Sequence, residues 1–528
     1  MLKDYDNYIK SAIKQLPESR ADFLQLKKKL SKKYKLPIPT NADLRNRYNE
    51  LLKKKRIMGS EKFEKLLLSR AIRTESGVAV VAVLTKSYPC PGKCIYCPSE
   101  KDMPKSYLSN EPAVMRAIDA DFDPYRQVQN RLRSLELNGH ATDKIELIVM
   151  GGTFSYLPSY YQKYFIWQCF KACNEFERKI KKQKAKIKTK GELLNKYLSK
   201  EQKKNEKAKH RIIGLTLETR PDFINEKEIK NFRNLGCTRV ELGVQSIFDD
   251  ILKKNKRGHS VTETICATKL LKDAGFKINY HIMPGLPGSS PKHDFKMFKE
   301  LFSNPNFQPD MLKIYPTVVL RNSQLFKLWK NNSYKPLSDN KFEKFVLKIK
   351  NEVIPPYVRI ARLVRDVPTS SIIAGPTVSN LRQIIIPESH CPCIRCREVR
   401  SGYEIKEKIV LNRIDYPASD GYEIFLQYIS PDKKKLFALL RLRITSEKKA
   451  IIREVHTYGK MEKINQKNKK SPQHIGLGKK LVAEAEKIAK KEFKIDNISV
   501  ISGIGVRYYY RKLGYKLKDT YMVKYIGK

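Results

Sequence analysis

Two groups of cysteines and one glycine turn are the residues best equipped for chemistry. Cys90, Cys94 and Cys97 stand at C-x3-C-x2-C spacing in the run Lys86–Pro98, directly after the apolar stretch Val78–Leu84. Thiolates are the soft ligands an iron–sulfur cluster requires, and close spacing lets one loop wrap one cluster. Three ligands leave one iron open, able to chelate a small molecule through an amine and a carboxylate. The same spacing also suits a zinc knuckle with a fourth ligand elsewhere. Cys391, Cys393 and Cys396 stand at C-x-C-x2-C spacing. They form a candidate tetrahedral zinc clip, with the adjacent His390 or a residue distant in sequence as the fourth ligand. Gln473-His474-Ile475-Gly476-Leu477-Gly478 opens an amphipathic stretch, Lys479–Phe493. A glycine-rich turn at a helix N-terminus offers free N–H groups and a positive dipole end to a pyrophosphate.

Composition narrows the setting. With 528 residues the chain is too long for one compact core, and its 41% hydrophobic content is ample for several. Lys and Arg number 106 against 55 Asp and Glu, a formal charge of +51. That excess fits a polyphosphate partner, although a lysine-rich genome would raise charge everywhere. Clustered cysteines argue for metal and a reducing compartment, hence a cytoplasmic protein, rather than for disulfides. Cys169, Cys173, Cys237 and Cys266 read as buried packing residues. No signal-type core or stretch of about 18 apolar residues is present, so no membrane span is expected.

The elements that must position these residues follow from periodicity. Residues 1–76 read as a small basic helical module, with helices expected over Asn41–Lys55 and Ser60–Leu68. Residues 77–387 alternate strand and helix. Strands are expected at Val78–Leu84, Ile145–Met150, Ile212–Leu217, Arg239–Val244, Ile278–Met283, Met311–Tyr315 and Val358–Leu363. Repeated βα units of this length predict a parallel α/β barrel, partial or complete, with its chemistry at the strands' C-terminal ends. Gly151-Gly152, Glu218-Thr219-Arg220 and Gly243-Val244-Gln245 fall there. Residues 174–210, rich in lysine, read as an insertion, helical or partly disordered, outside the core. Residues 388–402 read as a cysteine-rich linker. Residues 403–528 have another rhythm, a mixed α+β domain with strands at Tyr422–Ile429, Leu436–Ile444, Ile451–Tyr458 and Ile498–Ser502.

The Cys90–Cys97 loop resembles the radical SAM superfamily, whose three-cysteine four-iron four-sulfur cluster binds S-adenosylmethionine (SAM). The resemblance implies reductive cleavage of SAM to a radical that abstracts hydrogen from a substrate. In that setting Gly151 and Gly152 let backbone approach the amino group of SAM. Glu218, Arg220 and Gln245 would contact its ribose and carboxylate, Arg being suited to bidentate carboxylate binding. Q-x-x-G-x-G at Gln473–Gly478 resembles motif A of the GNAT acetyltransferases. Gly503–Tyr515 resembles motif B, where a tyrosine, here Tyr509 or Tyr510, points toward the thioester sulfur.

The two together resemble the catalytic subunit of Elongator, from about residue 77 to the end. The stretches that carry the resemblance include Glu111–Ala117, Ile148–Phe154, Glu218–Asp222, Arg239–Ser246, Leu312–Thr317 and Val500–Tyr515. The resemblance implies modification of the tRNA wobble uridine. A radical made from SAM would take hydrogen from the methyl of acetyl-CoA, and the acetyl carbon would add at C5. Acetyl-CoA contacts carry over to Lys144, Glu454-Val455-His456-Thr457, Leu477-Gly478-Lys479 and Tyr510, with Gln473 and Gly476 in the glycine turn. Lys144 begins a barrel strand, so its role requires the barrel to face the acetyl-CoA domain. The basic N-terminal module would grip the tRNA anticodon stem-loop. A homodimer and accessory Elongator subunits stay open as further partners. Two departures stand out: the first cysteine gap is three residues where many members have nine, and Pro98-Ser99-Glu100 replaces Pro-Gly-Gly.

Two competing readings make different commitments. A conventional GNAT lysine acetyltransferase would use Glu454 or His456 as general base and ignore the cysteine loop. A non-catalytic tRNA-binding scaffold would be indifferent to Tyr510 and Cys94.

Overall fold

A computed structural model describes residues 5–68, 77–176, 191–399, 407–459 and 476–527. The N-terminal segment forms helices Asp6–Lys14, Arg20–Tyr34, Asn41–Lys53 and Glu61–Leu67. Ser19, Thr40 and Ser60 cap the last three by accepting a backbone N–H three residues on. Their apolar faces meet in a separate core around Tyr8, Phe23, Leu44, Tyr48 and Phe63.

The βα stretch folds into one parallel sheet. Its strands are β1 (Ala79–Leu84), β2 (Lys144–Met150), β3 (Arg211–Thr219), β4 (Arg239–Gln245), β5 (Lys277–Ile282) and β6 (Met311–Ile314). A two-residue β7 (Val319–Leu320) precedes β8 (Arg359–Arg362), and β9 (Ile372–Ala374) pairs antiparallel with β7. The order β1-β2-β3-β4-β5-β6-β8 follows the chain, and β1 does not pair with β8. The barrel is therefore partial. Helices pack its outer face through a large apolar core that includes Val81, Leu147, Leu217, Val240, Ile278 and Leu312.

The lysine-rich stretch is helical in part, as expected, but it is not outside the core. Residues 177–190 lie outside the described residues, but Gly191–Asn205 is a helix packed on the helix Ser159–Asn174. Leu194 and Leu198, one turn apart, are buried, and Tyr197 stacks on Trp167 at 5.3 Å. Asn205, fully buried, accepts the Ile212 N–H at 2.8 Å and so fixes the start of β3. The surrounding lysines hide an apolar stripe of only a few residues, so composition alone misreads this helix as peripheral. Cys266 is exposed rather than buried; Cys169, Cys173 and Cys237 are buried as expected.

The C-terminal part forms a mixed sheet of order β10-β11-β12-β13-β14-β16-β15. The strands are β10 (Val410–Ala418), β11 (Gly421–Ile429), β12 (Leu436–Ile444), β13 (Ala450–Thr457), β14 (Asn497–Val500), β15 (Lys516–Lys518) and β16 (Tyr521–Tyr525). The helix Leu477–Lys491 crosses between β13 and β14, the one parallel pair. That pairing covers only Ala450–Ile452 against Ile498–Val500. Beyond it the strands part, and Arg453–Thr457 pairs with no strand on that side among the described residues. Sequence periodicity does not single out β10: Pro417 lies within it, and a proline is tolerated in a sheet chiefly at an edge, where β10 sits.

The two sheets are held against each other by backbone contact and buried charge. A Cβ on Gly503 would lie 2.0 Å from the Ile213 carbonyl oxygen, and one on Gly505 would lie 2.7 Å from the Arg211 Cβ. Only glycine allows this approach to the N-terminal end of β3. Beside it, Asp310 accepts from Arg453 Nη1 at 3.0 Å and Nη2 at 2.5 Å, and Glu423 accepts from Arg453 at 2.8 Å. Arg443 donates to Asp273 Oδ1 at 2.6 Å. All but Asp273 are fully buried.

Candidate active site

The cysteine loop sits at the C-terminal end of β1. It is anchored at Ile95, whose N–H donates to Asn255 O and whose carbonyl accepts from the Leu325 N–H. A Cβ on Gly92 would lie 3.6 Å from the sulfurs of both Cys90 and Cys94, so the loop curls around the space between them. Arg257, buried, donates to the Gly243 carbonyl through Nε and reaches Cys94 Sγ through Nη1 at 3.5 Å. A hydrogen bond from Cys97 and the Arg257 charge lower the Cys94 thiol, toward the thiolate a metal needs.

The neighbouring strand ends supply polar atoms with spare capacity. Arg220 is gripped by Asp222 at 2.8 Å through both Nε and Nη2, and Nη2 also donates to Gly258 O. Its Nη1 is buried without a partner among the described residues, and a Cβ on Gly92 would fall 2.6 Å from it. Gln245 ends β4 in the left-handed region at φ 69°, with its Oε1 buried and without a partner among the described residues. A non-glycine residue held there stores strain of the kind found at ligand sites. Tyr107 donates to Glu218 Oε2 at 2.9 Å. Gly152 faces the same space. Gly151 does not: it packs on Thr85, where a Cβ would lie 2.0 Å from Oγ1.

At the other end of the barrel stands the wall of the second sheet. Glu454 on β13 accepts from Lys277 at 3.4 Å and from Arg441 at 2.9 Å. Burial raises this carboxyl, but Lys277 and Arg441 outweigh it and hold the group at about 2. His456 stacks on Tyr458 at 4.2 Å, and burial pushes its pKa down to about 4. Both are weak bases at neutral pH, which disfavours the general-base roles the lysine acetyltransferase reading gives them. The helix Leu477–Lys491 points its N-terminus into the gap where β13 and β14 part. A Cβ on Gly478 would lie 3.3 Å from the Tyr509 hydroxyl and 3.4 Å from Thr457 Oγ1. Leu477 itself turns into the apolar core, so only its backbone is available to a ligand. Tyr510 is buried between the rings of Tyr509 and Tyr515. Gln473 lies outside the described residues.

One cavity of about 1330 Å³ joins the two ends. Its lining includes Cys90, Cys94, Cys97, Gly152, Glu218, Arg220 and Gln245 on one side. On the other stand Lys144, Glu454, Val455, His456, Thr457, Gly476, Gly478, Lys479, Tyr509 and Tyr510. Lys144 reaches it from the start of β2, beside Arg211, against which Gly505 packs. Between the ends the lumen carries polar side chains opposite apolar ones such as Val80, Ala82 and Ile148. Glu241, Asn279, His281 and Lys313 line it, where barrel interiors are ordinarily filled by branched apolar side chains. Sequence reasoning missed these residues and Arg257. The signal was present in Lys277-Ile278-Asn279-Tyr280-His281, which alternates polar and apolar in a strand expected to be buried on both faces.

The second cysteine group converges more tightly. The sulfurs of Cys391, Cys393 and Cys396 all lie within 4.8 Å of one another. The clip ties the sheets, since the Ile394 N–H donates to Val358 O and the Val399 N–H to Leu436 O. His390 is exposed and is not part of the group; its backbone N–H donates to Asn351 Oδ1 at 2.9 Å. As a fourth ligand it is not brought into place.

Residues 85–301 match the Radical SAM superfamily and residues 309–389 the Radical_SAM C-terminal domain. A partial parallel barrel carrying a three-cysteine loop after its first strand defines a radical SAM enzyme. Among similar proteins is the tRNA uridine(34) acetyltransferase of Methanocaldococcus infernus, 46% identical over 87% of this chain and 88% of its own. Elongator complex protein 3 of Homo sapiens is 39% identical over 87% and 86%. The structure of Methanocaldococcus infernus Elp3 lacking residues 1–46 superposes with a TM-score of 0.71 at 42% identity, over 85% of this chain and 99% of that one. The chain belongs to this family, that of Elongator complex protein 3 and the tRNA uridine(34) acetyltransferases. Membership implies a four-iron four-sulfur cluster and SAM. The residues fit both: the sulfurs of Cys90 and Cys94 flank Gly92, Cys97 lines the same cavity, and Arg220 Nη1 and Gln245 Oε1, without partners among the described residues, face the space beside them. Among the described residues no helix is long and apolar enough to cross a membrane.

Proposed function

We propose that the chain modifies the wobble uridine of tRNA, adding an acetyl-derived carboxymethyl group at carbon 5 with acetyl-CoA as the carbon source. The observation that carries this reading is the single cavity shared by the cysteine loop and the wall that includes Glu454–Thr457 and Tyr510. Removing a proton from the acetyl methyl would give an enolate, a nucleophile, and carbon 5 of uracil is itself nucleophilic, so polar chemistry does not join the two carbons, whereas a carbon radical can add there. Cluster and SAM, once bound at Cys90, Cys94 and Cys97, would supply the radical that removes a methyl hydrogen. The chain's own part is positional. The glycine turn at Gly476–Gly478 would hold the pyrophosphate of acetyl-CoA against a helix N-terminus. Tyr509 and Tyr510 would flank the thioester, and Lys144 would contact the coenzyme from the barrel rim. Cys391, Cys393 and Cys396 would hold zinc as a staple between the sheets, their converging sulfurs suiting a thiophilic cation. The N-terminal helical module would grip the anticodon stem through phosphate contacts.

The test is anaerobic incubation with tRNA, SAM, acetyl-CoA and a reductant, followed by mass analysis of the nucleosides. A carboxymethyl-type mass gain on uridine is expected, lost in Cys94→Ser and in Tyr510→Phe. Retention of the product in Cys94→Ser would refute the radical route. Acetylated lysine in place of modified uridine would favour the conventional acetyltransferase.

A further inference from the structure

Glu241 stands fully buried at the centre of the lumen and is held ionised by Lys313, His281 and Arg239 against the cost of burial. His281 Nε2 donates to Glu241 Oε2 at 3.0 Å, and Lys313 also donates to that oxygen. Oε1 accepts from Asn279 Nδ2 at 3.2 Å. A carboxylate can only accept, so this bond fixes which way the Asn279 amide points. Asn279 Oδ1 is left facing away from Glu241. It is buried and has no partner among the described residues, and Asn279 lines the cavity. An acceptor stranded in this way costs about 1–3 kcal/mol unless a ligand supplies a donor.

The position narrows the donor. Asn279 lies on β5 between Lys277, which pairs with Glu454 on the second sheet, and His281, 3.8 Å from Glu218 at the other end. At the rise of a β-strand each is about 7 Å away. A group held at Asn279 is thus within reach of both ends of the cavity. An acetyl thioester offers no N–H at its reactive end. Uracil offers an N3–H donor beside the O4 acceptor.

We propose that Asn279 is the uracil-reading residue of this cavity: uracil N3–H donates to Oδ1, and the second Nδ2 hydrogen donates to O4. Cytosine presents an acceptor at N3 and a donor at N4, so both contacts fail. Glu241, His281 and Lys313 act as positioning residues that keep the amide from turning over. The inference rests on the tRNA uridine reading and adds how the base is chosen.

The test is equilibrium binding of anticodon stem-loops that differ only at the wobble base, carrying uridine, 3-methyluridine or cytidine. The full-length protein should bind the uridine stem-loop about 10-fold or more tightly than either other one, since a buried polar site rejects a ligand lacking its hydrogen-bond partner. In Asn279→Ala and in the volume-preserving Asn279→Leu the three stem-loops should bind within about two-fold of one another, at the weaker level. Persistence of the wild-type preference in both variants would overturn the assignment. So would indifference of the wild-type protein to 3-methylation, an arm that needs no variant to fold. If the wild-type protein modifies tRNA uridine yet shows that indifference, only the role of Asn279 falls. If it neither binds the stem-loops nor modifies tRNA, the proposed function falls with it.

Discussion

Asp310→Asn tests whether buried charge fixes the two sheets around the cavity. The Asp310 carboxylate accepts both Arg453 Nη atoms, at 3.0 and 2.5 Å, and the Ile278 N–H at 2.8 Å. Arg441 Nη1 lies 3.5 Å away, and Asp310, Arg441 and Arg453 are all buried to 1% or less. The asparagine keeps the shape and one acceptor but removes the charge. Arg453 then keeps Glu423 as its only carboxylate partner among the described residues, one that already serves Lys272 and Arg443, with the Phe276 carbonyl as a neutral acceptor. A close pair at an effective dielectric near 20 is worth about 4 kcal/mol, and the desolvation of Arg453 is not recovered by losing its partner. We therefore expect a loss of about 3–5 kcal/mol, the range for breaking a buried pair. It should be read as a lower denaturant midpoint at unchanged slope. The double variant Asp310→Leu with Arg453→Met removes both partners and should regain most of the loss. A single-variant loss below about 1 kcal/mol would refute the reasoning, because it would mean water reaches the cluster. So would a double variant as unstable as the single one.

Metal content should separate the two cysteine groups. Cys90→Ser, Cys94→Ser or Cys97→Ser should abolish iron and labile sulfide while sparing zinc, and Cys393→Ser the reverse, by elemental analysis of anaerobically purified protein. Gly503→Ala drives a Cβ against the Ile213 carbonyl, whose backbone cannot yield, and should cost about 1–3 kcal/mol on thermal unfolding. Gly59→Ala, with nothing within 4 Å, should stay near wild type. His456 is held neutral by burial, its pKa depressed from 6.5 to about 4, so the unfolded chain binds the proton first as pH falls. Its contribution to stability is complete above pH 6.5 and is lost between 6.5 and 4. His456→Asn should flatten the stability profile over that window. His259, depressed to about 2 by burial and by Arg257 and Arg220, should keep a residual slope there.

The sequence by itself determined what is local. Strand positions, both cysteine spacings and the glycine turn before Leu477–Lys491 are written in periods of two and 3.6 residues and in ligand spacing, which neighbouring residues suffice to specify. The elements misread were those whose signal is diluted. Lysines hide the stripe Leu194–Leu198, and Pro417 masks an edge strand. Only the tertiary structure decided how distant residues meet. That Lys144 on β2, Glu454 on β13 and Cys94 after β1 face one space depends on Gly503 and Gly505 bringing backbone against β3 and on Arg453 reaching Asp310. It also decided that His390 stays outside the cysteine clip, that Gly151 packs on Thr85, and that Leu477 turns inward. Packing across sheets involves residues more than a hundred positions apart, and although alternation such as that of Lys277–His281 marks a polar face, no local pattern encodes what that face will meet.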